Sequence, residues 1–447
     1  MAAQYSVNDM LVRLPLYMTF LWLAMVLSTS SAFAVSSRVQ QHLKRFNKPA
    51  ISTIESPDGD LIDCILISQQ PALDHPLLRD HKIQMQPLYY AKNREDSVVE
   101  DKKEGRRGTT EFLGRKFSNH KPAGGHAHVR EKGSMNTTGH PQLWHQVGVS
   151  CPEGTIPVRR TSESDLRRNT SQMHTYGRKF HHPPEPSAVP AASVDATGHQ
   201  HAIGYVQGGQ YYGAKANINV WNPSVQASNE FSLSQIWILG GSFNNDLNSI
   251  EAGWQVSPDL YGDTKTRLFI YWTSDSYQTT GCYNLLCSGF VQVSNDIALG
   301  ASIAPISSYD NHQYDITILI WKDPKEGNWW MQFGNKYILG YWPAALFTSL
   351  SKSASMVEWG GEVVNSQPGG KHTSTQMGSG HFPFESFGKC SYFSHLLIVE
   401  ASNNLMSASD VNTFAESPTC YNVQTGSSSD WGTYFYYGGP GRNPNCP

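Results

Sequence analysis

From Ser249 to Val256 apolar residues take every second position: Ile250, Ala252, Trp254 and Val256 fall on one face of an extended chain, and Glu251, Gly253 and Gln255 on the other. This period predicts a half-buried β-strand that sets a carboxylate beside a glycine, on the face opposite a packed tryptophan. An acid in that position lines a groove with room for a ligand. The stretch Val357 to Val364 (Val-Glu-Trp-Gly-Gly-Glu-Val-Val) repeats the theme, with Glu358, Gly360 and Glu362 sharing one face. Four residues of strand span roughly 13 Å, so only one of Glu358 and Glu362 can face Glu251 at close range.

Other short runs rich in aromatic and β-branched residues lie around these two: Glu230–Leu239, Arg267–Thr273, Phe290–Ser294, Tyr314–Trp321, Trp329–Phe333 and Tyr392–Val399. Turns rich in Gly, Asn, Pro and Asp separate them, as in chains of antiparallel strands. The first half of Glu230–Leu239 is expected to turn its Ser and Gln side chains outward. Ala344–Ser353 is the one short helix expected in this half of the chain. The predicted fold is all-β, an antiparallel two-sheet sandwich over residues 191–447.

The chain before it has a different texture. Polar residues run to Arg13, apolar ones from Leu14 to Leu27, and Ala32-Phe33-Ala34 supplies a small-x-small cleavage signature. The apolar run falls short of the roughly 20 residues that span a bilayer comfortably, so residues 1–34 are predicted to be a signal peptide, with an uncleaved N-terminal anchor as the competing reading. Residues 35–190 carry 23 Lys/Arg against 17 Asp/Glu, and residues 191–447 carry 10 against 19. A basic, histidine-rich leader on an acidic body suggests a pro-segment held partly by charge. Within it, a charge-dense insertion between Asp96 and Lys116 and a proline-rich linker ending at Pro190 separate smaller pieces of ordered character. The leader is therefore expected to be a small, partly disordered pro-domain. Its two sequons, Asn136-Thr-Thr and Asn169-Thr-Ser, predict glycosylation at Asn136 and Asn169.

A secretory route favours disulfides among the 7 cysteines. Cys282 and Cys287 flank a short turn, and Cys420 and Cys446 can tether the glycine-rich tail. The odd number leaves at least one thiol unpaired, with Cys390 the candidate, and the states of Cys64 and Cys151 stay open.

No His-Glu-x-x-His helix, nucleophile elbow or phosphate-cradling loop is present, so no metal and no cofactor is expected. His199-Gln-His201 is the only close histidine pair in the body, and no acidic or cysteine partner lies near it in sequence. The acidic body argues against nucleic acid as a partner. Carboxylates remain. Two acids in one cleft do not both ionise readily, so one acts as base on a water while the other, protonated, polarises a carbonyl or protonates a leaving group. Glu251 is one candidate, and its partner is Glu358 or Glu362.

The chain resembles the neprosin-type plant glutamic peptidases, which are prolyl endopeptidases. The resemblance rests on Gln70-Pro-Ala-Leu-Asp-His-Pro76, Gln142-Leu-Trp144 and Cys151-Pro-Glu-Gly-Thr-Ile-Pro-Val-Arg-Arg160 in the leader. In the body it rests on Ile250-Glu-Ala-Gly-Trp254, Thr280-Gly-Cys-Tyr-Asn-Leu-Leu-Cys287, Trp359-Gly-Gly-Glu362 and the ending Tyr436 to Cys446. It implies a β-sandwich catalytic domain and an inhibitory pro-segment removed at acid pH. It also implies disulfides Cys282–Cys287 and Cys420–Cys446, and cleavage after proline by two glutamates, Glu251 and Glu362. The charged run from Lys102 to Arg107 and Cys390 depart from the family's pattern. The expected partners are proline-containing proteins or peptides and the chain's own pro-segment; the expected state is a monomer free of membrane once the signal is cut. The expected destination is extracellular, in apoplast or cell wall, with the vacuole as the other route. The prolines at 183, 184, 186 and 190 make the linker itself a candidate substrate. The contrasting reading is a non-catalytic secreted β-sandwich module that binds carbohydrate or cell wall through aromatic platforms.

Overall fold

The computed structural model describes residues 39–93, 141–168, 176–179, 183–186, 198–243, 245–367 and 370–447. The predicted signal peptide, the charged insertion, both sequons and Pro190 lie outside these residues. Among them no helix is long and apolar enough to cross a membrane.

The leader contributes strands β1 (Ala50–Glu55), β2 (Leu61–Leu66), β3 (Lys92–Asn93) and β4 (Thr155–Arg159). The antiparallel order β1-β2-β4 makes a small sheet of its own. Cys64 on β2 is bonded to Cys151, just before β4, across a sequence separation of 87. Both cysteines pack with Ile54, Ile62 and Trp144 of the leader and with Ala298 and Ala301 of the body. The small sheet is thus seated on the sandwich.

The body continues with β5 (His199–Tyr211), β6 (Gly213–Asn219), β7 (Ser232–Gly240), β8 (Asn248–Val256), β9 (Arg267–Thr273) and β10 (Val291–Gln292). Next come β11 (Asp315–Lys322), β12 (Trp329–Phe333), β13 (Tyr337–Trp342), β14 (Ala354–Val364) and β15 (Ser391–Val399). The last are β16 (Asn404–Ser407), β17 (Asn412–Ala415), β18 (Asn422–Ser428) and β19 (Gly432–Gly438). One sheet has the order β17-β5-β14-β7-β8-β9. The other runs β10-β13-β12-β11-β6-β15-β16-β3, with β19 also paired to β15 and β18 to β19. Their facing sides meet in one core, where Ile236, Ile250, Trp254 and Trp359 of the first sheet pack with Ile318, Met331 and Phe393 of the second. Each such fully buried side chain stabilises by roughly 1.5–3 kcal/mol.

Three local expectations are corrected. Every residue of β7 and β8 is buried, not half of them. The outer face is covered, because Val39, Leu166 and Tyr176 of the leader pack there with Leu233, Trp237, Phe269 and Tyr271. Ser232 and Ser234 do not point outward: both are buried on the inner face, and the Ser234 hydroxyl meets the Tyr437 hydroxyl across the sandwich. Ala344–Ser353 is not an α-helix but two 3-10 turns, Ala344–Leu346 and Ser349–Ser351. The side-chain oxygen of Asn248 accepts from the backbone N–H groups of Thr348 (2.9 Å) and Leu350 (3.1 Å), pulling the segment onto β8 instead.

The disulfides Cys282–Cys287 and Cys420–Cys446 are formed. Cys390 is a buried free thiol, and burial pushes its pKa up to about 12.

Candidate active site

Glu251 and Glu362 stand on strands that do not touch each other. β7 lies between β8 and β14, and pairing across it puts Trp237 beside both Glu251 and Glu358, and Leu233 beside Glu362. Glu358 is therefore level with Glu251, while Glu362 is offset by four residues along the sheet. Cross-strand partners share a face, so all three acids point to the side that the leader covers. Midway between these two levels lies Gln235, whose neighbours are Gly253 on β8 and Gly360 on β14. Neither position accepts a side chain. A Cβ on Gly253 would come within 1.9 Å of Ser234 O, and Gly360, at φ +156°, would place one 2.4 Å from Ala202 O.

The diagonal pair, not the level one, converges. Lys179 Nζ lies 3.0 Å from Glu251 Oε2 and 3.2 Å from Glu362 Oε2, so the two oxygens are no further apart than those lengths combined. Both glutamates are fully buried and the lysine side chain is 3 % exposed. Burial alone would lower the lysine pKa, but the two carboxylates outweigh it and hold it above the ordinary lysine value. This lysine belongs to the leader. Its backbone N–H donates to the Tyr271 hydroxyl (3.1 Å), and its ammonium sits over the ring of Tyr277.

Each glutamate has its own set of partners. Glu251 Oε1 accepts from Ser249 Oγ (2.9 Å) and from the Tyr277 hydroxyl. Burial and the adjacent carboxylate hold the Tyr277 phenol well above the tyrosine range, so it keeps its proton and remains a donor. Glu362 Oε1 is 2.7 Å from His199 Nδ1. His201 Nε2 lies 3.8 Å from Glu362 Oε2, a charge contact too long for a hydrogen bond. The other nitrogen of His201 meets Glu416 Oε1 at 2.9 Å. Burial lowers the His199 pKa against the pull of Glu362; for His201 burial works in the same sense, but Glu416 outweighs it and the pKa is raised. Glu358 has neither set: both its oxygens are buried without a hydrogen-bond partner, and burial pushes its pKa far up. Burial thus favours its neutral form.

Several of these residues carry no sequence signal beyond parity. Ser249 shares a face with Glu251 two residues on, and His199 and His201 pair with β14 opposite Val364 and Glu362. The acidic partner absent near the histidine pair in sequence is thus supplied by another strand. Among the described residues the one cluster of potential metal ligands is His372, Cys420 and Cys446. Both its sulfurs are joined in a disulfide, which removes them as ligands. Among the described residues Trp431 is the one tryptophan not buried in this leader-covered state.

The leader holds on through charges of both signs. Besides Lys179 on the body's glutamates, Asp60 of the leader binds Arg267 of the body, Oδ2 to Nη1 at 2.5 Å. Arg267 is fully buried and also pairs with Asp263 at 2.6 Å. The docking is not simply a basic leader on an acidic body. Neutral contacts add to it: Gln70 and Gln292 exchange hydrogen bonds, and His81 Nε2 meets the Tyr341 hydroxyl at 2.7 Å.

Residues 228–440 match the family described as Neprosin, and residues 53–205 match the one described as Neprosin activation peptide. Among solved structures, the chain is similar to scytalido-glutamic peptidase with a peptide-based transition state analog. That likeness has 12 % identity and a TM-score of 0.29, over 55 % of this chain and 98 % of that one. It is similar also to SCP-B, a member of the eqolisin family of peptidases, in complex with the tripeptide Ala-Ile-His, at 12 % identity and a TM-score of 0.28, over 54 % and 98 %. At such scores the likeness carries no weight for function.

Proposed function

The chain is a neprosin-type protein with an N-terminal activation peptide, and from that premise we propose that it is a glutamic endopeptidase made as a latent precursor. The observation that carries the reading is the convergence of two buried carboxylates, Glu251 and Glu362, on one ammonium supplied by the activation peptide. A substrate carbonyl and a water would take the place of that ammonium. Glu251, whose partners Ser249 and Tyr277 donate to it, is the base that takes the water's proton. Glu362, beside imidazoles that can accept as well as donate, holds the proton that passes to the leaving nitrogen. General acid–base catalysis of this kind is worth about 10²–10⁴-fold.

The finer reading is cleavage after proline, in a secreted protein that works in acid. Family membership supports it, together with the signal-like residues 1–34 and two leader histidines seated on the body. His75 packs on Trp272 and His81 on Tyr341, and burial lowers the pKa of both. A histidine whose docked pKa is lowered favours docking above its free pKa, near 6.5, and loses that contribution as pH falls through the lowered value. Acid therefore loosens the leader. The test is to remove the leader in trans with an unrelated endopeptidase, incubate the body with proline-containing peptides, and read the cut sites by mass. Wild type should cut after proline, and Glu251→Gln and Glu362→Gln should be at least about 10²-fold slower. Full activity in either variant would refute the dyad.

A further inference from the structure

Gln235 occupies the middle of the site, and the steps above give it no part. It sits on β7 between the level of Glu251 and that of Glu362, with only glycine on either side, Gly253 and Gly360. No side chain from the adjoining strands stands level with it to cover its amide. The residue is fully buried, and neither Nε2 nor Oε1 has a hydrogen-bond partner. An unpaired buried amide is destabilising, and polar groups left in that state call for a specific explanation. Other unpaired groups share this face: His201 Nε2, Trp237 Nε1 and both oxygens of Glu358. The packed precursor satisfies the carboxylates through Lys179 but leaves the polar groups around them waiting for a partner.

We propose that Gln235 is a further catalytic residue, the amide that receives the carbonyl oxygen of the scissile peptide bond. The proposal rests on the glutamate-dyad reading and assigns the group that reading leaves out. As the water oxygen bonds to the carbonyl carbon, Glu251 takes the water's proton and the C=O π pair moves onto the carbonyl oxygen. Gln235 Nε2–H donates to that oxygen where the charge develops. When the tetrahedral intermediate collapses, the pair re-forms C=O, the C–N bond breaks, and the proton on Glu362 passes to the nitrogen. A neutral donor suits this place: a cation there would pair with the carboxylates, as Lys179 does, and quench the base. The flanking glycines put no side chain of their own beside the amide. Donors of this kind, aimed at a developing oxyanion in a site closed to water, are typically worth about 10²–10³-fold in rate.

The test compares the leader-free wild type with Gln235→Met, which keeps length and loses both polar atoms, and with Glu251→Gln and Glu362→Gln. Steady-state kinetics on one proline-containing peptide and thermal unfolding are measured for each; Gln235→Leu serves if the methionine variant does not fold. The expected result is a kcat lower by about 10²–10³-fold with KM within about twofold, and a Tm equal to or above wild type because an unpaired amide has gone. A structural glutamine would show the opposite, with Tm lowered and kcat kept. Unchanged kcat in Gln235→Met beside inactive glutamate variants overturns this proposal alone. Active glutamate variants overturn the dyad beneath it, whatever Gln235 does.

Discussion

Lys179→Met in the intact precursor tests whether latency resides in the contact between leader and dyad. At an effective dielectric of about 20, a unit charge 3.0–3.2 Å from each carboxylate is attracted by roughly 5 kcal/mol apiece. Desolvation of the buried ammonium cancels several of these, and breaking a buried pair by removing one partner costs about 3–5 kcal/mol. Methionine fills much of the same volume, so the packing loss is small and the charge loss dominates. The two carboxyl groups are also left without the ammonium between them. Taking the lower figure, about 3 kcal/mol against 1.36 per factor of ten, the population with the Lys179 segment lifted rises about 10²-fold. The assay is initial-rate hydrolysis of a small proline-containing peptide by unprocessed precursor at fixed pH, with mass spectrometry confirming an intact leader. Peptide turnover by the variant should exceed wild type by about that factor, and its Tm should fall. Lys179→Arg, which keeps the charge, should stay close to wild type. The lysine's own titration does not give the pH switch: its raised pKa means that its charge is kept through the acid and neutral range and is lost only in strong alkali. A Lys179→Met precursor as silent as wild type would refute the reasoning and assign latency to the anchors around Asp60 and Gln70.

Two further outcomes follow from buried groups elsewhere. Glu358 carries a penalty that grows as pH rises above the free glutamate value toward its raised folded pKa, so Glu358→Gln should raise Tm near pH 7 and change it little near pH 4. Thermal unfolding at both values checks it, and an equal gain at the two would show that the effect is not titration. A His75→Gln, His81→Gln precursor lacks two groups that oppose docking when protonated, so its leader should be released at lower pH than in wild type. Size-exclusion of clipped precursor across a pH series reads this out, and superimposable release curves would exclude the histidines as the trigger.

The strands were legible because period-2 alternation survives in the sequence wherever the inner face is apolar; β9 and β12 have the very bounds that their aromatic runs predict. The site was legible in part. Parity puts Glu251, Glu358 and Glu362 on one side of the sheet, but only the register through β7 makes Glu358 level with Glu251 and sends Glu362 to the diagonal. That register belongs to three strands together and has no local signature. Lys179 was less legible still, since it lies 72 positions from Glu251 and 183 from Glu362, just before the proline-rich linker. The same fact explains why β7 and β8 look half-polar yet are buried on both faces. A strand designed only for burial under the leader would carry apolar residues there, as Leu233 and Trp237 do. Gln235, Glu251, Glu358 and Glu362 break that rule on the covered face. Their polarity is costly in the packed precursor, where Lys179 answers two of them and nothing answers the other two. Their pattern instead fits the leader-free state, in which that face is open to water and to a peptide. The alternation in β8 and β14 thus describes the protein after its leader has gone, and the complete burial in the precursor describes what holds it back.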